Sequence, residues 1–116
     1  MQALAGASTG NNTHAAISVG SRYSAVAFLF ENIVDAGNGT VDYKVQGSID
    51  GLRWDDIAYH VAANNTLAVA AITVVDLNHS VIFLHNPDSR KYRFFRLVTT
   101  NNTDATYRAF VETFPM

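Results

Sequence analysis

From Val41 to Ile49 the chain alternates, with Val41, Tyr43, Val45 and Ile49 apolar and Asp42, Lys44, Gln46 and Ser48 polar. A period of two predicts a half-buried β-strand with its apolar side chains on one face. Asp50-Gly51 follows, with Trp54 just beyond. This pair predicts a tight type I′ turn, whose central positions need positive φ, free to Gly and tolerated by Asp. Further apolar runs occupy 14–20, 23–34, 40–49, 52–61, 67–76, 80–85, 91–100 and 105–114, separated by Gly, Asn, Asp, Pro and Ser. Runs of this length and punctuation predict an all-β chain of about eight strands, folded as an antiparallel sandwich or small barrel. Residues 67–75, LAVAAITVV, are apolar almost throughout. Their length and β-branched content favour a strand over a helix.

Two runs are apolar on both faces. Val26, Phe28 and Phe30 alternate with Ala25, Ala27 and Leu29, while Leu67, Val69, Ala71 and Val75 alternate with Ala68, Ala70, Ile72 and Val74. A two-layer sandwich wets the outer side of each sheet, so a second apolar face requires a cover. Two covers are open, another chain or a loop or N-terminal arm of the same chain. Ala25, Ala27, Leu29, Ala68, Ala70 and Ile72 are therefore the candidate interface residues. Tyr43, Val45, Trp54, Phe28, Phe30, Phe94 and Phe110 are the expected core.

Composition narrows the picture. At 116 residues the chain is expected to form one domain around one core. Residues 1–13 carry no charge and are rich in Ala, Gly, Ser, Thr and Asn, which predicts an extended arm leading into a domain spanning 14–116. Charged residues make up only 16%, the net charge is −2, and no basic stripe calls for nucleic acid or an anionic membrane. The absence of Cys rules out disulfides and thiolate metal sites. The first residues lack the pattern of a signal peptide, and a soluble protein is expected.

Residues with chemical potential do not assemble into a reactive set. His14, His60, His79 and His85 fall in four different segments. A zinc site needs three or four converging donors, so these are expected as ordinary strand-end or loop histidines. Asp55 and Asp56 are adjacent, and strand neighbours point to opposite faces, so they cannot easily share one proton or metal. No phosphate loop, nucleophile elbow or Ser/His/Asp order is present, and neither an enzyme nor a cofactor is expected. Arg90, Lys91, Arg93, Arg96 and Arg108 are interleaved with Tyr92, Phe94, Phe95 and Phe110, but alternation divides them between two faces. Arg96 and Arg108 are expected as structural braces, through acidic partners or loop carbonyls. Sequons at Asn11, Asn38, Asn64, Asn78 and Asn101 are expected as turn chemistry.

The segments Tyr43 to Trp54, YKVQGSIDGLRW, and Lys91 to Phe114 resemble a reduced discoidin-type β-sandwich. In that family a Tyr-containing strand runs into Ser-x-Asp-Gly-x-x-Trp, matched here by Ser48, Asp50, Gly51 and Trp54. A final hairpin carries an aromatic-x-Arg-hydrophobic strand and an Arg-x-x-x-Glu strand, matched by Phe94, Arg96, Leu97, Arg108 and Glu112. The resemblance implies a jelly-roll or discoidin-like sandwich with Trp54, Asp50, Gly51, Arg96 and Arg108 in structural roles. The chain is short for that family, its terminal Cys pair is absent and the loops that would carry its ligand-binding spikes are not recognisable, so no ligand residue is carried over. Short Cys-free sandwiches with this hairpin also resemble capsid cement, decoration and tail appendage proteins of tailed phages. That implies a non-enzymatic virion protein, a homo-oligomer such as a trimer that binds neighbouring coat proteins at the capsid or tail surface. The alternative is a carbohydrate-binding module holding a glycan on an aromatic shelf such as Tyr59, Tyr92 or Tyr107.

Overall fold

The Val41 to Ser48 alternation builds a central strand of a computed structural model that describes residues 1–20, 23–33, 39–61, 66–68, 71–75, 77–85 and 92–115. Only the backbone is described at 59–61, 66–68 and 83–85. In chain order the strands are β1 (Gln2–Thr9), β2 (Ile17–Ser18), β3 (Ala25–Asn32), β4 (Thr40–Ser48), β5 (Asp55–Asp56), β6 (Tyr59–Val61), β7 (Thr66–Ala68), β8 (Ile72–Val75), β9 (His79–His85), β10 (Phe94–Thr103) and β11 (Thr106–Phe114). One sheet has the order β1-β11-β3-β9. The other runs β2-β10-β4-β5 with β8 also paired to β4, and β6 and β7 form a separate pair. All these pairings are antiparallel, and no helix occurs among the described residues. The expected all-β sandwich is therefore the fold.

The two sheets meet through large side chains. Phe30 of β3 stacks on Tyr43 of β4 with ring centroids 4.2 Å apart, and Phe28 meets Phe95 of β10 edge to face at 5.0 Å. Val26, Val41 and Phe95 are wholly buried beside them. Burying each such side chain stabilises the fold by about 1.5–3 kcal/mol. Gly47 belongs to this core because of what it lacks: a Cβ there would lie 2.6 Å from the Tyr92 ring. The ring closes over the bare backbone of β4, and Tyr92 is itself buried.

Several expectations need correction. Phe94 and Phe110 are only half-buried, because β10 and β11 point their neighbours inward: Phe95 and Leu97, then Tyr107, Ala109 and Val111. Ile49 is exposed, since the alternation of β4 ends at Ser48. Asp50 has no positive φ, whereas Gly51 sits at +77°, so the turn is not type I′. The Asp50 carboxylate instead accepts the backbone N–H groups of Leu52 and Arg53 at 2.9 and 3.0 Å. This side-chain turn carries the chain through residues 49–54 before β5 returns to pair Asp55 with Gly47. Trp54 leaves that loop half-buried outside the sandwich and not in its core.

Residues 1–13 are more than a lead-in. Gln2–Thr9 is the edge strand β1, hydrogen-bonded along β11, and its Leu4 and Ala5 enter the core. Residues 12–14 then run along β10, with His14 N–H donating to the Leu97 carbonyl and Thr99 N–H to the Asn12 carbonyl. The 52–61 run yields only the short β5 and β6, and the 67–76 run is divided between β7 and β8.

Candidate functional site

The outer face of the four-stranded sheet has a composition unlike ordinary solvated surface. Residues directly opposite each other in antiparallel strands lie on the same face. Ala3 of β1 pairs with Phe110 of β11, Phe110 with Leu29 of β3, and Leu29 with Val81 of β9. An apolar row thus crosses all four strands. Val81 is 58% exposed, and Leu29 and Phe110 are half-buried.

Polar groups border the row on both sides. On one side Arg108 is opposite Glu31 and donates from Nε to its carboxylate at 2.6 Å, with His79 next across the sheet. The guanidinium also leans over the Phe110 ring, 5.6 Å from its centroid. On the other side Glu112 is opposite Ala27 and accepts the Met1 ammonium at 3.1 Å. β1 lies in the plane of this sheet and extends it, so the N-terminal residues do not cover the row.

The outer face of the five-stranded sheet is different. Arg96 donates from Nε to Gln46 Oε1 at 2.8 Å, and Gln46 donates to Asp56 at 2.8 Å. Lys44 reaches the same Asp56 carboxylate at 3.1 Å. These contacts hold the Asp56 carboxyl below the usual carboxylate range, with the Gln46 hydrogen bond the largest cause. Asp42 is likewise lowered, by hydrogen bonds from Asn101 and Thr73. The Arg96 guanidinium lies 4.2 Å from the centre of the Trp54 ring, a cation–π stack at one end of this ladder. These polar side chains bind one another, while Phe94, Val98 and Val75 add apolar surface to the same face.

The expected site residues divide between these surfaces. Ala27 and Leu29 are on the apolar outer face, and Ala25 follows their alternation but is buried. Ile72 packs against the core, which removes it from the interface set. The Ala68 side chain and Ala70 lie outside the described residues. Arg108 is paired with Glu31, whereas Arg96 is held by a neutral amide and an indole. Tyr92 and Tyr107 are buried and offer no shelf, and the Tyr59 side chain is outside the described residues. Phe110 and Val81 were missed as surface residues. The strand pattern places both on one face only once β3 is known to lie between them. Among the described residues no three His, Asp or Glu side chains converge on a metal position, and no helix is long and apolar enough to cross a membrane.

No family model matches the chain, so its discoidin-type resemblance leads to no family assignment. No curated protein matches either. Among solved structures, the SPBc2 prophage-derived protein YomS aligns with 96% of this chain and 88% of its own at a TM-score of 0.65 and 10% identity. The C-terminal family 22 carbohydrate-binding module of Clostridium thermocellum Xyn10B aligns at a TM-score of 0.45 and 12% identity, over 90% of this chain and 68% of the module. A xylan-binding domain of the same family aligns at 0.43 and 12% over the same shares. At such identity the YomS likeness is one of fold: this chain is a β-sandwich of the YomS shape.

Proposed function

We propose that the chain is a non-enzymatic virion structural protein, a cement or decoration subunit that self-associates and binds neighbouring coat proteins, with the outer face of its four-stranded sheet as a contact surface. The observation that carries this reading is the Ala3, Phe110, Leu29, Val81 row, an apolar strip that a solvated sheet face would not carry. The prophage origin of YomS supports the phage setting. Binding at such a face needs no reactive group.

A second reading, a saccharide-binding module, is favoured by one feature. Trp54 is at the surface beside Arg96, whose amide partner Gln46 also holds Asp56. Aromatic faces next to hydrogen-bonding side chains suit sugar rings, which present an apolar face and a polar rim.

Immunogold electron microscopy on virions purified from the host that carries the gene separates the two readings. Label on the capsid or tail is expected, and Leu29→Asp is expected to remove it while leaving the thermal midpoint within a few degrees. Trp54 is the only tryptophan, so its fluorescence reports any sugar bound nearby. Unlabelled virions together with saturable quenching by an oligosaccharide would transfer the assignment to the sugar reading.

A further inference from the structure

We infer that the occupant of this face is a second copy of the same chain, packed sheet to sheet about a twofold axis that runs along the apolar row. The inference rests on taking that face as the contact surface, and adds the partner and the symmetry.

The arrangement of charge selects this axis. Arg108 and Glu112 are on the same face of β11, two residues either side of Phe110. Rotation by 180° about the row keeps Phe110 over Phe110 and Leu29 over Leu29, and exchanges the two borders. Each Arg108 then lies over Glu112 of the other copy, so a single patch supplies two complementary contacts, as an isologous interface requires. A twofold axis along the strands would not bring the two borders together. Arg108 and Glu112 are 47% and 42% exposed, so both retain surface for a partner beyond their contacts with Glu31 and Met1.

The size of the face sets the strength. Four strands about 4.8 Å apart and eight residues long at about 3.4 Å each give a face of about 500 Å², or about 1,000 Å² counted over both copies. That is the lower limit for a specific interface, and a dissociation constant in the micromolar range is expected. The Arg108 and Glu112 contacts are at the rim, where charge fixes register more than it adds affinity. On a particle surface, where copies are held side by side, a weak pairing of this kind is multiplied by valency.

Charge swapping tests the axis directly. Sedimentation equilibrium of the wild-type chain is expected to show reversible dimers. Arg108→Glu alone and Glu112→Arg alone each place like charges at both contacts and are expected to weaken self-association about tenfold or more. Mixed in equal amounts, the two variants restore opposite charges at both contacts, and a mixed dimer close to wild-type strength is expected. Should Arg108→Glu unfold the chain by repulsion from Glu31, Arg108→Glu combined with Glu31→Gln takes its place in the mixture. A wild type that stays monomeric to about 1 mM, well above the expected range, overturns the inference, as does a mixture no stronger than its components. Monomers that still label virions would remove the twofold pairing and leave the virion assignment in place. Dimers without label would do the reverse.

Discussion

At the scale of single residues, Tyr107 does more than fill space. It is fully buried, yet its hydroxyl lies 2.7 Å from His14 Nε2, 2.9 Å from Thr99 Oγ1 and 3.0 Å from Asn12 Nδ2. One hydroxyl offers one donor and two acceptor sites. Asn12 Nδ2 donates to the tyrosine oxygen, and the tyrosine proton goes either to His14 Nε2 or to Thr99 Oγ1, with the other of the two donating back. Burial pushes the His14 pKa down, which favours the neutral ring. Tyr107→Phe keeps the ring and its stack on Phe30 but leaves three polar groups without this partner. A loss of about 1–3 kcal/mol is expected, read as a lower urea midpoint at unchanged slope. A shift within error would mean that the hydroxyl is a passenger of the ring.

At the scale of elements, the turns hold the sequence's least readable features. The β8–β9 connection carries Leu77 at φ +60°, a left-handed position, with its side chain 61% exposed. A β-carbon in that region costs about 1 kcal/mol, and no burial of the leucine offsets it. Leu77→Asn is therefore expected to raise stability by about 0.5–1 kcal/mol, since Asn tolerates this backbone. Leu77→Gly gains less, because glycine also frees the unfolded chain. Thermal unfolding of the two variants checks the order, and a fall in midpoint with Asn would show that the leucine is held by contacts. The long strands were legible because alternation marks the buried side: Val26, Phe28 and Phe30 face inward as their spacing predicts. Alternation does not say where pairing stops. Ile49 continues the apolar pattern past the last paired residue, and Trp54 emerges from a loop whose length Asp50 sets with its side chain. β1 was illegible for a further reason. Its small neutral residues carry almost no pattern, and the unpaired edge of β11 turns them into a strand. For the candidate site, the sequence held its residues but not their neighbours, since Val81, Leu29 and Phe110 come from β9, β3 and β11 and meet only in the strand order.

At the scale of the whole molecule, titration distinguishes the parts of the sandwich. Asp42, Asp50 and Asp56 all have pKa values lowered from 3.8, through hydrogen bonds from Asn101 and Thr73, from the backbone of Arg53 and Leu52, and from Gln46. A lowered carboxylate stabilises the folded state above its unfolded pKa, and that contribution is lost as pH falls through the folded value. His14 is lowered from 6.5, so the unfolded chain binds its proton first. Its contribution is complete above 6.5 and declines as pH falls below it toward the folded value. Acid should therefore weaken the fold in two stages, first at the Tyr107 hub and then, below about pH 4, at the carboxylates attached to the five-stranded sheet. His14→Gln removes the first stage only, and Asp56→Asn reduces the second. The outer row of the four-stranded sheet contains no titrating group, though Glu31, His79, Arg108 and Glu112 border it. Between pH 7 and 8, above the range in which His14 and the three aspartates act, stability should hold level. Urea unfolding measured across pH 3 to 8 tests the order of events: a single acid transition near 4 in wild type, unchanged by His14→Gln, would place the histidine outside the balance that holds the sandwich together.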